Sequence, residues 1–300
     1  MSFNDNVNLD SSRVSTSRGR GRGVALGGGG LVVVIGLFIV SQVTGIDFLS
    51  MFTGSSTGSN SATQVQESQG KDLSHCKTGA DANKYDECRM VATAQSLDAM
   101  WSTALSEQAN VQYKKPDFNI FEDAVQTKCG AATSQVGPFY CPADNTVYLD
   151  LSFFNELSKF GAQDGPLAQE YIVAHEWGHH IQNLTGQFQS HNSQQTGAQS
   201  ESVRMELQAD CYAGIWVNRA AKTPDPKSGQ PFLKTPTDEQ IRNALSVASS
   251  IGDDHIQEQS GGKINQDSWT HGSSAQRTQW FKTGIQTGSI AHCDTFEGSL

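Results

Sequence analysis

The chain has 300 residues, with 31 acidic against 21 basic side chains and a net charge of −10 at neutral pH. Four arginines and two aspartates precede Gly23, which leaves 17 basic and 29 acidic residues downstream. So acidic a body disfavours nucleic acid and anionic lipid surfaces as partners.

Arg13, Arg18, Arg20 and Arg22 lead into an uncharged stretch from Gly23 to Ile46 whose centre, Leu31 to Val40, is strongly apolar. About 20 residues span a bilayer core, so residues 24–46 read as one transmembrane helix. The run is long for a signal-peptide core, and no small-residue cleavage site follows it. Arginines ahead of the span predict a cytoplasmic basic tail at 1–23 and an extracytoplasmic remainder, a single-pass protein of the cell membrane. Residues 47–70, rich in Ser, Thr, Gly and Gln from Thr53 onward, have the composition of a flexible tether. The folded domain is then expected at 71–300, roughly 230 residues, enough for one sizeable core.

All six cysteines fall in that domain. An even number in an exported domain suggests disulfides, although six cysteines allow fifteen connectivities. Pairing sequence neighbours gives Cys76–Cys88 and Cys129–Cys141 and leaves Cys211–Cys293. No Cys-x-x-Cys pair occurs, which counts against a cysteine metal site.

Met90, Ala94, Leu97, Trp101 and Leu105 recur at helical spacing and predict an early amphipathic helix that serves the core. Thr146 to Leu151 is β-prone and follows a turn-forming segment. Gly165-Pro166 and Gly186 bracket a further helix, and within it stands His175-Glu176-Trp177-Gly178-His179. Residues four apart share a helix face, so His175 and His179 can offer two imidazole nitrogens to one zinc ion. Glu176 sits beside them as a general base for a water that the metal activates. Gly178 is expected to leave open space next to the metal. His180 points about 100° away around the helix and is a poor ligand.

The third ligand is expected downstream. Glu206 and Asp210 share a face of an otherwise apolar segment that includes Leu207, Ala213, Ile215 and Trp216. Glu206 completes a two-His, one-Glu site with an open position for water. Asp210 can accept a hydrogen bond from the far nitrogen of a ligand histidine. His191, in a Gln/Ser/Asn-rich stretch, is the alternative third ligand. Lys222 to Pro236 reads as a surface loop. Thr237 and Gln240 form a capping box ahead of Ile241, Ala244, Leu245 and Ala248, and Trp280, Phe281 and Ile285 mark a last packed helix. The fold class is α+β, helix-dominated with a small sheet.

These features resemble the gluzincin metallopeptidases and, more closely, the bacterial neutral zinc metallopeptidase family with an N-terminal membrane anchor. The matching blocks are Gly137 to Pro142 running on to Asp150, His175 to His179, Glu206 to Trp216, and Gly252-Asp253-Asp254. They continue with Thr270 to Ser274, Arg277, Trp280-Phe281, and Cys293 to Phe296. The resemblance implies a zincin-like metallopeptidase domain holding one Zn2+ and hydrolysing peptide or protein substrates. It makes His271 the candidate donor to the oxyanion, ahead of Tyr148 and Arg277, and it suggests that the 146–151 strand pairs with extended substrate. Two other readings keep the zinc: a membrane-tethered binding protein without turnover, and an amidase acting on cell-wall material.

Overall fold

The computed structural model describes residues 2–20 and 66–300. The expected transmembrane helix at 24–46 and most of the 47–70 tether lie outside these residues. Among the described residues, no helix is long and apolar enough to cross a membrane.

A 3-10 turn at Ser11–Arg13 leads into β1 (Ser15–Arg20), and the chain returns as β2 (Gln66–Gln69). Helices α1 (Gly79–Lys84) and α2 (Asp86–Ala109) come next. Five strands follow: β3 (Asp117–Glu122), β4 (Ala124–Thr127), β5 (Gly130–Thr133), β6 (Phe139–Cys141) and β7 (Thr146–Leu149). The rest is helical: α3 (Phe153–Glu156), α4 (Pro166–Leu184), α5 (Gln187–Ser190), α6 (Glu201–Ala220), α7 (Asp238–Ser250), α8 (Asp253–Gln259) and α9 (Ser274–Thr287). The class is therefore α+β and helix-dominated, as the periodicities predict.

Helix α2 forms where the apolar stripe is continuous. Met90, Ala94, Leu97, Trp101 and Leu105 are all fully buried. It packs against α4 and α6, and Ser96 accepts from the Trp216 indole at 3.0 Å. The capping box at Thr237 and Gln240 closes the start of α7, and a second one, Ser273 with Gln276, starts α9. All six cysteines pair as their order suggests, Cys76–Cys88, Cys129–Cys141 and Cys211–Cys293, and the last bond fastens the C-terminal segment to α6.

The main sheet has the order β2-β1-β3-β7-β6, and β4 with β5 forms a separate hairpin. Three expectations need correction here. β7, the strand expected to border the cleft, is sandwiched between β3 and β6, so its edges are already hydrogen-bonded. The edge strand beside the helical layer is β6, which packs on α4. The domain also starts earlier than residue 71. Phe3 and Val7 are fully buried, Val14 is nearly so, and β1 runs parallel to β3 inside the sheet. Ser-Thr-Ser-Arg-Gly-Arg has no apolar alternation, which is why composition alone places it outside the fold. The 222–236 segment is likewise more than a surface loop. Phe232 and Leu233 are buried, and the Asn4 amide donates to the Phe232 carbonyl at 2.9 Å.

Candidate metal centre

Helix α4 begins at Pro166, a residue suited to the first helical position because its missing N–H is not needed there. Every residue from Leu167 to Gln182 is buried, so its histidines sit in the core. The Nε2 atoms of His175 and His179 are 3.2 Å apart. α6, capped by Ser200 accepting from the Val203 amide, crosses α4 and delivers Glu206. One Glu206 oxygen lies 3.2 Å from His175 Nε2 and the other 3.6 Å from His179 Nε2. A donor atom from each of the three residues lies within 4.8 Å of the others.

Gly178 sets this spacing. A Cβ there would stand 2.9 Å from both the Cα and the carbonyl oxygen of Ala209. The glycine does not leave room beside the metal, as its position between the histidines suggests; it lets the backbone of α6 press onto α4. On the opposite side of α6, a Cβ at Gly284 would lie 2.0 Å from the Cys211 carbonyl oxygen. α6 is thus held by near backbone contact on two sides, which fixes Glu206 relative to the histidines.

Asp210 lies one turn beyond Glu206 and is fully buried. Its Oδ1 is 2.8 Å from His175 Nδ1 and accepts from the Tyr171 hydroxyl at 2.5 Å. Arg277 donates to both oxygens, Nε to Oδ2 at 2.8 Å and Nη2 to Oδ1 at 2.9 Å. This carboxylate holds the proton of His175 on Nδ1 and aims the Nε2 lone pair at the centre. His179 Nδ1 is 2.8 Å from Gln182 Oε1, and Gln182 donates to the Met205 carbonyl at 2.7 Å. Two oriented imidazole nitrogens and one carboxylate form the donor set of a zinc site with an open fourth position, so the residues fit the ion.

The charges interlock. Burial works against an ionised His175, but Asp210 and Glu206 overcome it and raise its pKa to about 10. Burial lowers that of His179 to about 4, despite Glu206. Burial opposes the charge on Glu206 and Asp210 too, yet His179 and His175 hold the first below the usual range, and Arg277 and His175 the second. Glu176 differs, because burial prevails and raises its pKa to about 7. Its Oε2 is buried with no hydrogen-bond partner among the described residues. A bare carboxylate oxygen in a buried site is costly, and it is a proton acceptor in waiting.

His175, Glu176, Glu206 and His271 share the walls of a cavity of about 40 Å3 with Gly137, Leu157 and Ile251. His271 arrives through a turn that the sequence motif does not explain. The amides of Thr270, His271 and Gly272 all donate to Asp253 Oδ2, at 2.8, 2.7 and 2.9 Å. Asp253 Oδ1 is 3.3 Å from His271 Nδ1. Burial works against charge on His271, but Asp253 and Glu206 raise its pKa overall. Asp253 is therefore a positioning residue that sequence reasoning passed over; its only signal was that both segments stood out as blocks.

Other candidates go elsewhere. Arg277 lines the cavity, but its guanidinium is committed to Asp210. Tyr148 stacks on Phe139 at 5.0 Å and donates to Asp144. His191 stacks on Phe296 at 3.7 Å, with Nδ1 3.5 Å from Glu201. His180 turns to the Tyr140 hydroxyl and the Lys114 carbonyl, as its helical angle requires. A second cluster, His75 with Cys76 and Cys88, has both sulfurs in a disulfide.

The chain matches the family model described as "Putative neutral zinc metallopeptidase" over residues 2–296. It is 48% identical over 231 residues to an uncharacterized protein of Mycobacterium tuberculosis, covering 77% of each chain. It is 38% identical over 280 residues to the uncharacterized protein YpfJ of Escherichia coli K12, covering 91% of this chain and 88% of that one. No solved structure matches it. The chain belongs to this zinc metallopeptidase family.

Proposed function

We propose that the protein is a zinc-dependent endopeptidase that cleaves peptide bonds with Glu176 as general base. The observation that carries this reading is the bare, buried Glu176 oxygen beside three converging donors, His175, His179 and Glu206. A zinc site kept only for binding or structure has no use for that carboxylate. When bound, zinc supplies an acidified water and a Lewis acid for the scissile carbonyl.

The protein's own residues do the rest. Glu176 accepts the proton of the attacking water and returns it to the leaving amine. Asp210, Tyr171 and Arg277 hold His175 in one tautomer. His271, steadied by Asp253, donates to the oxygen of the scissile carbonyl as charge builds on it. The edge of β6 offers backbone groups to an extended peptide, which adds to the sheet as a further strand. The cavity beside Glu176, about 40 Å3, equals about three water-sized spaces and suits an aliphatic side chain of valine or leucine size. Six paired cysteines support a location outside the cytoplasm.

The test is Glu176→Gln. Hydrolysis of a protein and peptide panel should fall by about a hundredfold or more, while zinc stays bound at wild-type stoichiometry. A folded, zinc-loaded variant with near-normal turnover would remove Glu176 from the chemistry. Activity confined to cell-wall material would replace the peptidase reading with an amidase one.

A further inference from the structure

Residues 2–20 precede the apolar run at 24–46, and residues 66–300 follow it, yet the two form one fold. β1 lies between β2 and β3. It pairs with β3 from Ser15↔Asn119 to Arg18↔Glu122, and with β2 from Ser17↔Gln69 to Arg20↔Gln66. Upstream, Phe3 and Val7 are fully buried, and the Leu9 amide donates to the Lys77 carbonyl at 2.9 Å.

Two of the four arginines that read as a cytoplasmic signal, Arg13 and Arg18, are partners within this fold. Arg13 pairs with the buried Asp98 at 2.6 Å, and its Nη2 donates to the Pro116 carbonyl at 2.8 Å. Its guanidinium also stands 5.3 Å from the centre of the Trp177 ring, on the catalytic helix. Arg18 pairs with Glu122.

One helical crossing takes about 20 apolar residues and two take about 40. The uncharged run, bounded by Arg22 and Asp47, is long enough for one and too short for two. A single crossing would put β1 and β3 in different compartments and empty the middle of the sheet. We propose that residues 2–20 and 66–300 lie in one and the same compartment.

The topology is testable without reference to activity. No native thiol is free, so an introduced cysteine is the unique one. Ser12→Cys and Lys263→Cys, both exposed and remote from the metal centre, are made in the full-length chain in cells. Each is probed with a membrane-impermeant maleimide before and after lysis. The expected result is one pattern for both: labelled on intact spheroplasts together, or protected until lysis together. Labelling of one on intact spheroplasts while the other requires lysis would overturn the proposal. Asn6→Cys, also exposed, repeats the N-terminal measurement without touching the Ser12–Asp10 hydrogen bond.

Discussion

Gly178→Ala adds one methyl group at the crossing of α4 and α6. The new carbon would lie 2.9 Å from the Cα and carbonyl oxygen of Ala209 and 3.1 Å from its Cβ. Two of those atoms are backbone and cannot rotate away, so the helices must separate by about 0.5–1 Å to reach ordinary contact between carbon atoms at about 3.5–4.0 Å. Overpacking of this kind costs about 1–3 kcal/mol. Replacing glycine by alanine inside a helix returns about 1 kcal/mol, so the zinc-free protein should lose about 0–2 kcal/mol. The zinc site has no such compensation. Glu206 lies one turn before Ala209, and it moves with α6 while both histidines stay with α4. A loss of zinc affinity of about tenfold or more, about 1.4 kcal/mol, is expected. Competition with a chromogenic chelator measures the affinity, and thermal denaturation of the stripped protein measures the fold. Wild-type zinc affinity in the variant would show that backbone contact at Gly178 does not set the ligand distance.

Removing Glu206 and removing Asp210 should differ in kind. Glu206→Ala should abolish stoichiometric zinc, whereas Asp210→Ala should weaken zinc affinity or activity by about 10–100-fold; equal losses in the two variants would contradict their separate roles. Phe3→Ala, at a position with no exposed surface, should cost about 3–5 kcal/mol of stability, and an unchanged melting temperature would mean that residues 2–20 do not pack as described. A chain from which residues 2–20 are deleted should fail to yield folded, zinc-binding protein, because burial of Phe3, Val7 and Val14 contributes about 1.5–3 kcal/mol each against a net stability of about 5–15 kcal/mol.

What the sequence makes legible is what repeats locally. The stripe from Met90 to Leu105 announces α2, Thr237 with Gln240 announces α7, and a four-residue spacing announces both the histidine pair and Glu206 with Asp210. In each case the determinant lies within a turn or two of the residue it explains. What stays hidden depends on partners far along the chain. β1 is polar, and only pairing with Gln66 to Gln69 and with Asn119 to Glu122, far along the chain, makes it a strand. Gly178 looks like open space until Ala209 is set against it. Asp253 reads as an ordinary acidic residue near a glycine, and its three amide donors arrive from residues 270–272. Phe232 and Leu233, in a polar Pro-containing segment, are buried because the N-terminal residues come back to cover them.

The N-terminal residues and the helix that carries His175 and His179 are joined by a continuous polar chain. Arg13 pairs with Asp98, Tyr113 donates to Asp98 at 2.6 Å, and the Trp177 indole donates to Tyr113 at 2.9 Å. Trp177 follows Glu176 directly. If residues 2–20 were withdrawn to another compartment, Asp98, 4% exposed, would lose Arg13, its closest cationic partner. Breaking a buried ion pair by removing one partner costs about 3–5 kcal/mol, and the loss would fall on the residues that support the helix carrying His175, Glu176 and His179. The geometry therefore ties residues 2–20 and the metal centre to one packed unit.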